Sequence, residues 1–282
     1  MSWILSLPHG KTLTLAAPIA VMGIVNVTPD SFSDGGVFAT AAAAVAHGER
    51  LAREGAAILD IGGESTRPGA NAVAADEEAS RTVPVIAELS RRITLPISID
   101  TTKTRVAAAA LGAGASIVND VWGFQGDGDM ARVVADFGAA AVLMHNRATI
   151  DPALDIVADV LNFLSRSIDL ALKAGMAQEQ LIVDPGFGFG KTPAQNLALI
   201  RRLREFSMLG CPVLLGVSRK STIGRVTGQA IPAERLYGSL AAGLAGVANG
   251  AAILRVHDVA AHVEALQVLH AIGATAQSEE SA

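Results

Sequence analysis

Short runs of apolar, often β-branched residues recur along the chain, and each run ends at a polar residue. The eight runs cover 21–25, 57–59, 97–99, 116–118, 140–144, 181–183, 213–217 and 252–254. Stretches with helical character follow them at 41–53, 76–92, 104–111, 129–137, 153–173, 194–206, 233–247 and 259–269. This alternation predicts parallel strands, and eight units over about 250 residues is the usual size of an α/β protein with a (β/α)8 TIM barrel. A doubly wound open sheet is the alternative fold, although it usually contains fewer units.

Two more strand-like runs, 3–7 and 12–15, precede the first unit. Pro8 and Gly10 lie between them, and both residues favour a tight turn. The pattern predicts an N-terminal β-hairpin within residues 1–16.

Composition favours one large buried core. Half of the 282 residues are apolar and 17% are charged, and no linker divides the chain, so we expect a single domain over 1–282 with a frayed tail at 274–282. The net charge of −5 argues against non-specific nucleic-acid binding, which requires a basic surface. The single cysteine, Cys211, excludes a disulfide within the chain, and its apolar neighbours predict a buried thiol rather than a catalytic one.

The first residues lack the basic and apolar regions of a signal peptide. The most apolar stretch, 239–254, is short for a membrane span and contains Asn249 and several glycines. We therefore expect a soluble, cytoplasmic protein that does not insert into a membrane.

The polar residues that end the strand runs are candidates for a common site. They are Asn26, Asp60, Asp100, Asn119, His145, Asp184, Ser218 and Arg255. In a TIM barrel the carboxyl ends of the strands surround the active site. Any one of these residues also fits a turn or a helix cap, but their recurrence at strand ends favours a site.

The segment DPGFGFGKT at 184–192 resembles a phosphate-binding P-loop. The P-loop pattern G-x-x-x-x-G-K-[ST] requires glycine five residues before Gly190, and that position is Pro185. We predict instead a flexible loop whose glycines allow the backbone to approach a ligand. On this interpretation Asp184 is the chemical residue, and Lys191 is structural or faces solvent.

Further candidates lie in the loops. The amide of Asn26 suits a hard cation such as Mg²⁺, which proteins often share with substrate phosphates. Thr66 and Arg67, in a Gly- and Pro-flanked loop, suit phosphate or carboxylate. After the seventh and eighth strands come the basic segments 216–221 and 255–259, where TIM barrels often bind phosphate.

Seven motifs together carry a family resemblance. In chain order they are GIVNVTPDSFSDGG, DIGGESTRPGA, SIDTTK, IVNDV, LIVDPGFGFGKT, GVSRKSTIG and ILRVHDV. From about residue 21 to 260 the sequence resembles dihydropteroate synthases of folate biosynthesis, which belong to the pterin-binding family. The resemblance implies a TIM barrel and a transferase that joins 6-hydroxymethyl-7,8-dihydropterin diphosphate to p-aminobenzoate, giving 7,8-dihydropteroate and diphosphate. It also implies a dissociative (SN1-like) mechanism, a homodimer and inhibition by sulfonamides.

The resemblance assigns roles to residues that match the family's motifs. The expected catalytic residues are Asp100, Lys220 and Arg255. The pterin and its diphosphate are expected at Thr66, Asp100, Asn119, Met144, Asp184, Lys220, Arg255 and His257. The p-aminobenzoate site is expected at Phe32, Arg67, Pro68, Phe189 and Ser218. Asn26 is the expected ligand of Mg²⁺.

One segment departs from the family pattern. After the fifth strand the chain reads MHNRA, at 144–148, where many relatives continue Met-His with a methionine–glutamine–glycine type of sequence. We expect Arg147 to face solvent. Two alternatives remain: a pterin-binding methyltransferase that serves a corrinoid protein, and an inactive pterin-binding paralogue. The segments STRPG and SRKS disfavour the methyltransferase, because it handles neither diphosphate nor aminobenzoate.

Overall fold

The computed structural model describes residues 3–15, 19–27, 36–64 and 73–280, with side chains left undescribed at 36–40 and 274–280. Eight parallel strands form one sheet. They are β3 (Ala20–Asn26), β4 (Ile58–Gly62), β5 (Ile97–Asp100), β6 (Ile117–Asp120), β7 (Ala140–Met144), β8 (Leu181–Asp184), β9 (Leu214–Leu215) and β10 (Ile253–Val256). Consecutive strands pair from β3 to β8, and β10 pairs with both β3 and β9.

The two edge strands of this sheet also meet. Val183 of β8 forms a parallel bridge with Val213, and the Val183 amide donates to the Pro212 carbonyl at 3.0 Å. This bridge brings the sheet round into a nearly closed barrel. The predicted TIM barrel is confirmed, and the open sheet is excluded.

β9 is shorter than the sequence predicts. The apolar run covers 213–217, but only Leu214–Leu215 form a strand. Gly216 offers no side chain to pack on the sheet, and the Val217 carbonyl accepts from the Lys220 amide at 3.2 Å as the chain turns. The turn ends the strand early and brings Lys220 back towards the barrel.

Helices connect the strands around the outside of the barrel. They are α1 (Gly36–Arg53), α2 (Ala75–Arg92), α3 (Thr104–Gly112), α4 (Met130–Asp136), α5 (Ile156–Lys173), α6 (Pro193–Arg201), α7 (Ser221–Thr227), α8 (Leu236–Ala248) and α9 (Val259–Glu280). The predicted helix 194–206 is divided into α6 and a 3₁₀ segment, Leu203–Leu209. The sequence analysis missed α7, which is too short for a clear amphipathic period. α9 extends to Glu280 and so includes part of the tail 274–282. The fraying of that tail remains a prediction.

The N-terminal hairpin closes the floor of the barrel. As predicted, β1 (Trp3–Ser6) pairs antiparallel with β2 (Thr12–Leu15). Leu5 and Leu13 of the hairpin are buried in one cluster with inward-facing residues from the amino ends of the strands, such as Ile58. A second apolar layer lies between the strands and the helices. With the floor filled, the open end lies at the carboxyl ends of the strands, here called the mouth.

Candidate active site

Strand alternation decides which polar residues face the interior of the barrel. In β4, Ile58 belongs to the inner cluster, whereas Leu59 and Ile61 pack in the outer layer against the helices. Because successive side chains point to opposite faces, Asp60 points inward above Ile58. The same parity in the other strands turns inward Asn26, Asp100, Asn119, Met144, Asp184 and Arg255.

Arg255 connects two acidic residues across the barrel. Its Nε donates to Asp60 Oδ2 at 2.6 Å, and a terminal nitrogen donates to Asp100 Oδ2 at 2.7 Å. Asn119 Nδ2 donates to the same Asp60 oxygen at 3.1 Å. Strands β4, β5, β6 and β10 thereby present one connected polar network.

This network keeps hydrogen-bond capacity for a ligand. Among the described residues, neither Asp60 Oδ1 nor Asp100 Oδ1 has a hydrogen-bond partner, although both atoms are buried. Burial raises the pKa of Asp100 to about 7, even though Arg255 opposes the shift. Burial lowers the pKa of Arg255, but the facing carboxylates of Asp60 and Asp100 outweigh it and raise the pKa above its ordinary value. A buried acceptor of this kind favours a bound polar molecule.

Asp184 and Lys220 form a second pair at the mouth. Asp184 is 4% exposed, and its Oδ1 accepts from the Gly186 amide at 2.7 Å. Lys220 Nζ donates to the Phe187 carbonyl and lies 4.6 Å from the centroid of the Phe189 ring. Burial raises the pKa of Asp184 and lowers that of Lys220 to about 8, and the attraction between the two groups opposes both shifts.

Gly216 shows that these groups surround one space. A Cβ placed on Gly216 would lie 3.8 Å from Asp184 Oδ2, 3.8 Å from Arg255 Cβ and 3.9 Å from Lys220 Nζ. The Asp184 carboxylate, the Lys220 ammonium and the base of the Arg255 side chain therefore border the same volume, and the Arg255 guanidinium extends from there to Asp60 and Asp100. They suit a flat heterocycle that has both donors and acceptors on its edge.

A cleft of about 460 Å³ opens beside this volume and is bordered by Asn26, Arg219, His257 and the first residues of α9. Ser218 is 5% exposed, and its hydroxyl lies 3.0 Å from His257 Nδ1 and accepts from the His257 amide at 3.2 Å. Glu54 and Asp258 also line the cleft, and Asp258 pairs with Arg219. The part of the cleft that favours an anion is therefore the amino end of α9 beside His257.

His145 was expected at the mouth, and this prediction is wrong. His145 follows the inward-facing Met144, so its side chain lies on the opposite face of the strand. It is 1% exposed, and its Nε2 lies 3.0 Å from Asp159 Oδ2 in α5. Arg147 also donates to Asp159 Oδ2, at 2.7 Å, and is only partly exposed rather than fully solvent-facing.

Lys191 is structural, as one of the two predictions for it stated. Its side chain is 5% exposed, and Nζ donates to the carbonyls of Gly186 and Phe189. The loop 185–190, here called the glycine loop, packs against neighbouring backbone, and the approach of its glycines to a ligand remains a prediction. A Cβ on Gly186, whose φ is 69°, would overlap the His145 carbonyl, so this glycine permits close packing against backbone.

Four predicted site residues, Phe32, Thr66, Arg67 and Pro68, lie outside the described residues. The proposed metal ligand Asn26 is described, and its carboxamide faces Gly62 at the end of β4. Among the described residues no group of three His, Cys, Asp or Glu side chains is arranged to hold a metal ion. A cation at Asn26 therefore fits only if the substrate and water supply most of its ligands, which is the usual mode for Mg²⁺.

Two groups of the site have roles that the sequence did not predict. Asp60 was recognised as a strand-end carboxylate, and the structure makes it the shared partner of Arg255 and Asn119. The Phe187 carbonyl receives Lys220, and no sequence signal identifies a backbone acceptor of this kind. Cys211 is buried as predicted, and burial raises the pKa of its thiol to about 11.

Comparison with known proteins agrees with this geometry. The family model of pterin binding enzymes matches residues 22–257. The dihydropteroate synthase of Bacillus subtilis is 49% identical over 239 residues, which are 85% of this chain and 83% of that protein.

Two solved structures of the Xanthomonas albilineans dihydropteroate synthase are similar to this fold. The structure with 4-aminobenzoic acid has a TM-score of 0.93 and 50% identity, and the match covers 97% of this chain and 99% of that one. The complex with 7,8-dihydropteroate has a TM-score of 0.88 and 48% identity, covering 96% and 99%. Within the described residues no helix is long and apolar enough to cross a membrane. The chain belongs to the pterin-binding enzymes and, within them, to the dihydropteroate synthases.

Proposed function

We propose that the protein condenses 6-hydroxymethyl-7,8-dihydropterin diphosphate with p-aminobenzoate, giving 7,8-dihydropteroate and diphosphate. The observation that carries this proposal is the convergence of Asp184, Lys220 and Arg255 around the bare Cα of Gly216 at the mouth. The family membership and the ligands of the similar Xanthomonas structures agree with it.

The pterin ring suits the inner part of the site. Asp184 has a buried carboxylate that can accept from the amino and N–H groups of a pterin edge. Asn119 and Lys220 can supply donors to the carbonyl and ring nitrogens. Met144, which is 3% exposed and faces inward, provides apolar contact. Arg255, fixed by two carboxylates, presents a planar guanidinium that can stack on the ring.

The diphosphate suits the cleft beside the pterin volume. Asn26 and His257 border this cleft, and Arg255 and Thr66 are proposed as further contacts. Asn26 would contribute one oxygen ligand to Mg²⁺, which, when bound, neutralises part of the charge on the diphosphate.

The reaction proceeds by loss of the leaving group before attack. The bond between the pterin methylene and the diphosphate oxygen breaks, and both electrons leave with the diphosphate. Arg255 stabilises the departing negative charge, and the nearby Asp100 carboxylate stabilises the positive charge on the pterin. The amino nitrogen of p-aminobenzoate then forms the new C–N bond and releases a proton. Because an aromatic amine is already nucleophilic, this step requires no strong base.

The second substrate is proposed to bind on the outer side, at Phe189 and Ser218, with Phe32, Arg67 and Pro68 completing the site. Phe189 is partly exposed and stands over Lys220 Nζ, so it offers an aromatic face beside a cation. Sulfonamides resemble p-aminobenzoate, and we propose that they compete at this site. A homodimer and a cytoplasmic location remain predictions.

The deciding experiment supplies purified protein with the dihydropterin diphosphate, Mg²⁺ and labelled p-aminobenzoate. We expect labelled dihydropteroate and an equal amount of diphosphate. Pterin binding without product would contradict the synthase proposal and favour the inactive paralogue. Transfer of a methyl group from a methylated pterin to a corrinoid would favour the methyltransferase. The dihydropteroate synthases among the relatives favour the first outcome.

A further inference from the structure

The buried side chain of Lys191 has three hydrogen-bond acceptors. Its Nζ lies 2.7 Å from the Gly186 carbonyl, 3.0 Å from the Phe189 carbonyl and 2.8 Å from His145 Nδ1. Burial lowers the pKa of Lys191 to about 7, and in its ammonium form the side chain has three N–H groups, so these acceptors use its whole capacity. A buried cation that is fully hydrogen-bonded in this way is costly to remove, because its acceptors lose their partner.

The glycine loop lies between two lysines. Lys191 holds the carbonyls of Gly186 and Phe189 from behind the loop, and Lys220 holds the carbonyl of Phe187 from the mouth. The loop also packs tightly against the chain after β7, because a Cβ on Gly186 would overlap the His145 carbonyl. The carbonyls of Gly186 and Phe189 point towards Lys191, and that of Phe187 points towards Lys220. These hydrogen bonds fix the conformation of the loop, which places the Phe189 ring over Lys220.

His145 is the element that orients Lys191. Its Nε2 faces the carboxylate of Asp159, which favours the tautomer with a proton on Nε2 and leaves Nδ1 as an acceptor. Burial, together with nearby Lys191, lowers the pKa of His145 to about 3, so the ring is neutral near pH 7. Hydrogen bonds therefore join Asp159 of α5 to His145 and His145 to Lys191, and they connect α5 to the glycine loop.

We propose that Lys191, oriented by His145, is a positioning residue for the second substrate. It fixes the glycine loop so that Phe189 and the Phe187 carbonyl place the Lys220 ammonium, and it touches neither substrate. This role rests on the proposed function and adds to it, because residues outside the p-aminobenzoate site hold that site in position. The pterin contacts at Asp100, Asn119 and Arg255 lie on strands, whereas Asp184 and Lys220 are hydrogen-bonded to the loop.

Two substitutions of His145 separate positioning from general packing. In His145→Asn the carboxamide lies where Nδ1 was and still accepts from Lys191. In His145→Gln the carboxamide lies where Nε2 was, so the contact with Asp159 remains and Lys191 loses an acceptor. The stronger variant is Lys191→Met, which removes all three hydrogen bonds, and Lys173→Met on the exposed face of α5 is its control.

The measurements are KM for p-aminobenzoate, kcat and the Kd of the pterin substrate. For Lys191→Met and His145→Gln we expect KM for p-aminobenzoate to rise on the order of tenfold, since a displacement of about 1 Å has effects of this size or larger. We expect the pterin Kd of these two variants to rise less than their KM for p-aminobenzoate, because Asp100, Asn119 and Arg255 still hold the ring. All constants of His145→Asn and Lys173→Met should stay within about twofold. An equal loss of both affinities, or a larger effect in His145→Asn than in His145→Gln, would overturn the inference.

A structural measurement makes the test independent of activity. Crystal structures of the two His145 variants report the separation of Lys220 Nζ from the Phe189 centroid, which is 4.6 Å here. We expect it to be retained in His145→Asn and lengthened in His145→Gln; an unchanged separation in both contradicts the positioning role. If the unaltered protein forms no dihydropteroate, the proposed function fails, while the crystal structures still decide the role of Lys191. If Lys191→Met does not fold, the His145 pair decides alone.

Discussion

Replacing Arg255 by methionine tests the electrostatic network at the mouth. Methionine keeps much of the side-chain volume but removes the charge and both hydrogen bonds, 2.6 Å to Asp60 and 2.7 Å to Asp100. The two carboxylates cannot turn to water, since the side chain of Asp60 is 0% exposed and that of Asp100 is 7% exposed. The variant therefore leaves two negative charges buried without a cation.

The expected loss of stability follows from these contacts. Hydrogen bonds to charged groups contribute about 1.5–3 kcal/mol each, and breaking a buried ion pair by removing one partner costs about 3–5 kcal/mol. We expect the free energy of unfolding of Arg255→Met to fall by about 3–5 kcal/mol at pH 8.

The loss should depend on pH with a defined sign. Burial already raises the pKa of Asp100 to about 7, and loss of Arg255 raises the pKa of this carboxyl group further in the folded state. Above its ordinary pKa, such a carboxyl group is ionised in the unfolded chain but can still be protonated in the folded protein. The folded state therefore gains stability as the pH falls below the folded pKa. Each additional bound proton contributes about 1.4 kcal/mol per pH unit. Because the unaltered protein itself protonates Asp100 around pH 7, the variant gains only about 1.4 kcal/mol more between pH 8 and 6, which reduces the deficit to about 2–4 kcal/mol near pH 6.

Urea denaturation followed by circular dichroism at pH 8, 7 and 6 measures this effect. Arg105→Met is the control, because Arg105 pairs with Asp76 at 2.7 Å while the two side chains are 74% and 73% exposed. Its free energy of unfolding should match the unaltered protein at every pH. A deficit in Arg255→Met below about 1 kcal/mol at pH 8, or one that is equal at pH 8 and 6, would refute the reasoning.

Three further predictions concern the loop, the pterin and the metal. Gly186→Ala should destabilise the protein by about 2–5 kcal/mol, since its φ of 69° and the His145 carbonyl both oppose a Cβ; Gly112→Ala, with no atom within 4 Å of the added Cβ, should not, and equal denaturation midpoints would contradict this. Asp184→Asn should weaken pterin binding by about 1.5–3 kcal/mol in calorimetry, and an unchanged affinity would remove the role of that carboxylate. Chelation of divalent cations should abolish turnover and added Mg²⁺ should restore it, with Asn26→Ala requiring more Mg²⁺ than the unaltered protein; turnover that survives chelation would exclude the metal.

Repetition along the sequence was enough to predict the barrel. Eight apolar runs that alternate with helical stretches have few other ways to bury their surface, and the hairpin followed from its turn residues. The strand-end residues Asp100, Asn119, Asp184 and Arg255 were identified in the same way, because parallel strands of a barrel deliver their carboxyl ends to one place.

What only the tertiary structure decided is where each side chain points and what it meets. Met144, at the end of β7, points inward, whereas His145, one residue further on, points outward. The apolar run in the sequence showed where the strand ends but not which face of the sheet each side chain occupies. Asp60 acquired its role only when β4 and β10 were placed on the two sides of β3, since its partner Arg255 lies 195 residues away in the sequence. In DPGFGFGKT the sequence excluded a P-loop by the position of Pro185, but it did not reveal that Lys191 would be buried. Local pattern determines the strands and their order, whereas hydrogen bonds between distant segments depend on how the packed barrel brings those segments together.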